Sequence, residues 1–194
     1  EIPQIPNGQS DATAANDLPS DIPTSTPSAP SSSQNDTPTV APVTTSTSPN
    51  TANPADLISV RTDTFDIRIN PIGGDIVYLA LPLYLKQIDV ADDPFVLLDN
   101  QPGREYVAQS GLIGRNGVDS NGRATYRANS TSYTMSESAD SLDVDLSLVT
   151  SDGVEVTKRY SFSRDSYLID VSFIINNSTT ESWQANAFGQ IKRD

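Results

Sequence analysis

The residues of this 194-residue chain that could do chemistry are carboxylates and glycines, because it holds neither histidine nor cysteine. Without histidine it lacks the commonest general base and transition-metal ligand. Without cysteine it has no thiolate metal site and no disulfide framework. Asp143 and Asp145 stand two residues apart, as a general acid/base pair would. They alternate with Leu142, Val144, Leu146 and Leu148, however, which is how the solvated face of a strand reads, and paired carboxylates without an organised pocket catalyse nothing. Gly111, Gly114 and Gly117 are spaced like a phosphate loop. Such a loop sits between a strand and a helix and ends in Gly-Lys-Ser/Thr, and this one does neither. Asp119-Ser120-Asn121-Gly122 opens like a calcium loop but carries Arg123 at its fifth position and Ser130 at its twelfth, where a Glu is required. Trp183 near Phe188 has the makings of a sugar-stacking platform, and equally of a cap on a sandwich core. Asn129, Asn176 and Asn177 open glycosylation triplets, a motif frequent by chance. No catalytic, cofactor-binding or metal-binding residue is assigned.

The elements that carry these residues read as strands throughout. The organising stretch is Leu57 to Leu81, two period-two runs joined by a Gly-rich turn. Phe65, Ile67 and Ile69 alternate with Thr64, Asp66, Arg68 and Asn70, a strand with one wet face. Pro71 ends it, since proline offers no N–H to a ladder. Gly73 and Gly74 can take the positive φ of a tight reversal, and Asp75 to Leu81 returns, apolar on both faces. After Pro82 and LPLYLKQID comes an acidic turn at Asp89, Asp92 and Asp93. Pro94–Leu98 and Arg104–Ser110 are short strands, and residues 111–124 a Gly/Asn-rich loop. Strands follow at Ser130–Ser136, at Leu142–Leu148, and through Val154, Val156, Lys158, Tyr160 and Phe162, where Lys158 is the weak point of an apolar row. Tyr167, Ile169, Val171, Phe173 and Ile175 supply another inward face, and Glu181–Lys192 is the last strand. Regular strands with turn signals between them, and no competing helical period, predict an all-β, meandering antiparallel β-sandwich.

Residues 1–56 are written differently. They hold ten of the fourteen prolines, no aromatic residue, and six acids with no Lys or Arg. This composition predicts a disordered Pro/Ser/Thr-rich tether ahead of a β domain at 57–194. Of the chain's net charge of −13 the tether carries −6, leaving nineteen acids against twelve bases in the domain. An acidic surface with no basic cluster excludes nucleic acid as a partner and disfavours anionic lipid. No run approaches the length of a membrane span and no signal segment opens the chain. A start at Glu1 suggests a fragment or a processed form.

ISVRTDTFDIRINPIGGDI, then LPLYLKQ, PFVLLDN, YVAQSGLIGRNG, EVTKRYSFSRDSYLIDVSFIINN and AFGQIK, in that order from Leu57 to Lys192, resemble the large periplasmic domain of the YidC family, the inner-membrane insertases of Gram-negative bacteria. The resemblance implies packed antiparallel sheets of the mutarotase-like super-sandwich kind, no enzymatic activity and no cofactor. It implies a place on the periplasmic face of the inner membrane, next to the Sec translocon and its accessory subunits. Nascent inner-membrane proteins would be handled by a membrane core that lies outside this chain. Two rivals stand beside it. One is a carbohydrate-binding or adhesin-type sandwich on a Ser/Thr/Pro stalk. The other is a mutarotase-like sugar epimerase, whose histidine acid this chain lacks. The family's domain runs on past the point that matches Asp194, which predicts unusual exposure of Phe173, Ile175, Trp183 or Phe188.

Overall fold

The computed structural model describes residues 56–87, 90 and 92–193. The tether expected at 1–56 lies outside the described residues but for Asp56. Eleven strands follow in order. They are β1 (Ile58–Arg61), β2 (Asp66–Asn70), β3 (Asp75–Leu85), β4 (Pro94–Gln101), β5 (Arg104–Ile113), β6 (Arg127–Ala128), β7 (Ser132–Thr134), β8 (Ser141–Val149), β9 (Glu155–Ser163), β10 (Ile169–Asn176) and β11 (Asn186–Arg193). Seven form one sheet in the order β11-β5-β4-β3-β2-β1-β7, and four form a second in the order β10-β9-β8-β6. Among the described residues no helix is long and apolar enough to cross a membrane.

Period two decides which side chains meet between the sheets. Ile58 and Val60 on β1, Ile67 and Ile69 on β2, and Ile76 and Leu79 on β3 share one hydrophobic cluster with Val144 and Leu146 on β8 and Val156, Tyr160 and Phe162 on β9. Their polar alternates, such as Asp66, Arg68, Asp143 and Asp145, stay at least partly wet. Phe65 meets Phe162 edge to face across the gap, with ring centroids 6.3 Å apart. The turn between β2 and β3 has φ of +81° at Gly73 and +60° at Gly74, which side chains other than glycine's rarely tolerate. That turn is not free-standing. Gly73 N–H donates to Ala124 O at 2.6 Å and Tyr126 N–H to Pro71 O at 2.9 Å, so the loop after β5 is laced to it.

Several expectations are corrected. LISVR is a strand of its own, β1, paired antiparallel with β2 from Ile58↔Ile69 to Arg61↔Asp66. The returning strand does not stop at Leu81 but runs through Pro82 to Leu85. Proline is tolerated there because β2 ends its pairing at Asp66↔Ala80, which leaves that edge without a ladder. The expected strand 130–136 shrinks to β7, which pairs parallel with β1, so the meander is incomplete. The last strand starts at Asn186 rather than Glu181 and adds to β5 from Asn186↔Ile113 to Arg193↔Tyr106, skipping five strands of the chain order. Tyr167 precedes β10 and is exposed. Phe173, Ile175, Trp183 and Phe188 are half-buried, while Ile174 and Ile191 are exposed at 45% and 58%. These last two lie on β10 and β11, each the edge strand of its sheet.

Candidate functional site

The weak point in the apolar row of β9 is where the polar chemistry gathers. Lys158 is 0% exposed. Its Nζ donates to Gly73 O at 3.0 Å, Gly74 O at 2.9 Å and Ser110 O at 2.9 Å, so all three ammonium protons have carbonyl acceptors. From the other side of those carbonyls Arg123 donates to Ser110 O at 2.9 Å and Gly73 O at 3.1 Å and pairs with Asp75. Its second terminal nitrogen meets Asp119 at 3.0 Å. Tyr160 O–H donates to Gly74 O, and Gln109 donates to Asp75 at 3.0 Å. Aromatic faces complete the wall, with Lys158 Nζ 5.4 Å from the Tyr160 ring centroid and Arg123 5.4 Å from that of Phe188. Two cations thus face two carboxylates, both of them buried, in a site that is charge-balanced.

Burial sets the electrostatics. Desolvation pulls the Lys158 ammonium down to about 8, against the attraction of Asp75. It also lifts Asp75 above the usual carboxylate range, outweighing the pull of Arg123 and Lys158. The Tyr126 and Tyr160 phenols are pushed up, chiefly by burial. A lysine titrating near 8 is the kind of amine that acts as a base or forms a Schiff base. This one is sealed between the sheets with its protons committed to the turn, so its work is to hold the β2–β3 turn and β5 against β9. Tyr126 Oη and Arg123 Nε are buried without hydrogen-bond partners, the two loose ends of the cluster.

The residues singled out from the sequence fall into place around this cluster or away from it. Asp119 belongs to it as a pin rather than a calcium ligand. Its Oδ2 accepts from Leu112 N at 2.9 Å and its Oδ1 from Ala124 N at 3.1 Å, which closes the loop between them. Gly111 and Gly117 are glycines because a Cβ would run into Asp119, Phe188 and Arg123 at the first and the Leu112–Ile113 backbone at the second. They allow close approach, not phosphate binding. Asp143 and Asp145 flank Arg159, with Asp145 taking two hydrogen bonds of 2.7 Å from it, on the solvent side of the second sheet. That bonding holds the Asp145 carboxyl below its ordinary range. Trp183 packs partly against the core, as a cap does. Asn129, Asn176 and Asn177 are exposed, and Asn177 is engaged with Thr179 N and Glu181 O. Among the described residues no group of His, Cys, Asp and Glu is disposed to hold a metal ion.

Two open clefts share Arg104 on the seven-stranded sheet. One of about 440 Å³ is lined by Arg104, Glu105, Tyr106 and Arg193, and one of about 290 Å³ by Lys86, Phe95, Val96, Asp99 and Arg104. Both are shallow surface features whose charges are partly spent in pairs, Lys192 with Glu105 at 2.5 Å and Lys86 with Asp93 at 3.2 Å. The buried cluster itself escaped the sequence reading. Its one signal was a lysine in an inward position of an apolar strand, which demands partners that the strand's own sequence does not name.

The profile of the YidC periplasmic domain family matches residues 57–194. A protein named membrane protein insertase YidC from Cellvibrio japonicus (strain Ueda107) is 43% identical over 190 residues, covering 97% of this chain and 32% of that relative. The protein of the same name from Alcanivorax borkumensis is 49% identical over 138 residues, 71% of this chain and 24% of the relative. That from Pseudomonas putida (strain GB-1) is 45% identical over 141 residues, 72% of this chain and 25% of the relative. The chain spans about a quarter to a third of the length of these relatives.

Proposed function

The chain belongs to the YidC periplasmic domain family, and from that premise we propose that it is a non-catalytic contact domain of a membrane protein insertase. In this reading the insertase lies in the bacterial inner membrane and inserts and helps fold membrane proteins, with or without the Sec translocon. The domain stands on the periplasmic face as a scaffold or docking surface for translocon accessory subunits. The observation that carries the non-catalytic part is the state of the polar cluster. Its only strongly perturbed amine, Lys158, is spent on three backbone carbonyls and has no face toward solvent. The insertion chemistry of the whole protein belongs to regions outside the segment these residues match.

The test uses a full-length relative whose corresponding segment is replaced by residues 57–194, with photo-crosslinking side chains placed on exposed positions. Insertion of a test membrane protein at the parent's rate, together with crosslinks to translocon accessory subunits, is expected. An inactive but folded chimera, or crosslinks to none of those subunits from any face, would remove the contact reading.

A further inference from the structure

The far half of β3 and the start of β4 form an arm of the seven-stranded sheet that is hydrogen-bonded on one side only. Past Ala80 the strand has no neighbour on its β2 side, and Leu83, Tyr84 and Leu85 are 67%, 54% and 44% exposed. Across the arm, Leu81 pairs with Phe95 and Leu85 with Pro94, and Phe95 is exposed as well. The β9–β10 turn of the other sheet comes up beside it with Tyr167 and Leu168, both exposed. These residues are joined, not scattered. The Tyr84 and Tyr167 rings meet edge-on at 5.9 Å, Tyr167 meets Phe65 at 5.8 Å, and Phe65 meets Phe162 in the core. The surface tyrosines are therefore held in place by a row of rings running to the interior. Fixed aromatic and leucine side chains that stay wet in a folded domain mark a contact surface.

The rim decides what would sit there. Asp92 and Asp165 are exposed at its two ends, and Asp63, half-buried, accepts the Asp165 amide at 2.7 Å next to Tyr167. The cation within the arm, Lys86, is paired with Asp93, Arg164 beside Asp165 donates to the Ala139 and Ser136 carbonyls, and Arg104 borders Phe95 only from the cleft on the β4–β5 side. An acidic rim disfavours an anionic lipid surface. It also disfavours a two-fold dimer through this face, since a second copy would set acid against acid. We propose that the β3–β4 arm and the β9–β10 turn form a docking face for a protein partner that presents an apolar segment margined by Lys or Arg. This deepens the contact reading above and rests on it only in taking the domain to work by binding.

The experiment uses the whole 194-residue chain and two fluorescent peptides of one apolar sequence, flanked by lysines in the first and by glutamates in the second. The lysine-flanked peptide should bind more tightly, and more weakly as salt is added. Tyr84→Asp or Leu168→Asp should cost it about tenfold or more, while Val149→Asp, at a position 69% exposed on the far end of β8, should leave binding unchanged. Asp92→Asn with Asp165→Asn should cost several-fold. Both positions have positive φ, 64° and 55°, which asparagine accepts, so only charge is removed. No binding, equal binding of the two peptides, or equal loss in Val149→Asp overturns the proposal. So does binding to phosphatidylglycerol vesicles with none to the peptide, or sedimentation as a dimer that Tyr84→Asp dissolves. Because the chimera assay reads insertion and this one reads binding by the isolated chain, failure here leaves the insertase reading standing.

Discussion

At Lys158 a full charge sits in the core because three carbonyls of a turn and a strand need a donor there. Removing one member of such a cluster leaves the opposite charge buried and short of partners, a loss of about 3 kcal/mol. Lys158→Met should lower the urea-unfolding free energy by about that much, and Lys158→Met with Asp75→Asn should cost less than the two singles combined, because the pair is coupled. The pH dependence has a definite sign. The folded amine titrates near 8 against 10.5 for an ordinary lysine, so from pH 8 upward the unfolded chain holds the proton that the folded chain has shed. Stability attributable to this group therefore rises with pH in that window, by about 2 kcal/mol between about pH 7.5 and 9.5. Only the wild type carries this group, so its stability lead over Lys158→Met in unfolding curves should widen by about 2 kcal/mol from the lower to the higher pH. A difference independent of pH would mean the amine is not desolvated as described. Asp119 makes the second case, since Asp119→Ala strips two amides and Arg123 of their acceptor and should also cost about 3 kcal/mol by thermal melting.

Among the elements, the turn between β2 and β3 is the joint on which the sandwich closes. Gly73 and Gly103 both have positive φ, +81° and +79°, but only Gly73 is crowded, since a Cβ there would lie 2.5–2.8 Å from the Arg123 guanidinium while at Gly103 nothing lies within 4 Å. Gly103→Ala should cost about 1 kcal/mol, the left-handed penalty alone. Gly73→Ala should cost about 1–2 kcal/mol more, because Arg123 must also give up its place between Gly73 O, Ser110 O and the two aspartates. Calorimetry on the two variants separates the terms. Equal losses would mean that Arg123 moves away at no cost and contributes nothing to holding the turn.

For the whole molecule the governing quantity is charge. With 25 acids against 12 bases the chain repels itself at neutral pH. Its surface ion pairs, such as Lys86–Asp93 and the Arg159 fork, contribute little each because solvent screens them. Raising NaCl from about 0.02 M to about 0.2 M shortens the screening length from roughly 20 Å to about 7 Å. The expected outcome is an increase in Tm of about 2–4 °C. A fall in Tm would show that exposed pairs outweigh the net repulsion.

The chain's own text determined what is local. Alternation of Leu142 to Leu148 and of Val156 to Phe162 against polar neighbours belongs to each strand separately, and the structure returns both as β8 and β9 with the same faces inward. The all-β class and the β2–β3 hairpin were legible for that reason, and the family through the resemblance of consecutive stretches from Leu57 to Lys192. What depends on two distant stretches meeting was not. Lys158 looked like a flaw in an apolar row because its acceptors lie 85, 84 and 48 residues away. Asp119 looked like a failed calcium loop because its partners are backbone amides and Arg123, brought round by the fold. The strand at Ser132–Thr134 pairs parallel with β1, and β11 reaches across to β5, since edge pairing is chosen by which ladders remain open once the core has packed. Side-chain period is written residue by residue, whereas the partner of a buried charge or an open edge is settled only when the two sheets close on each other.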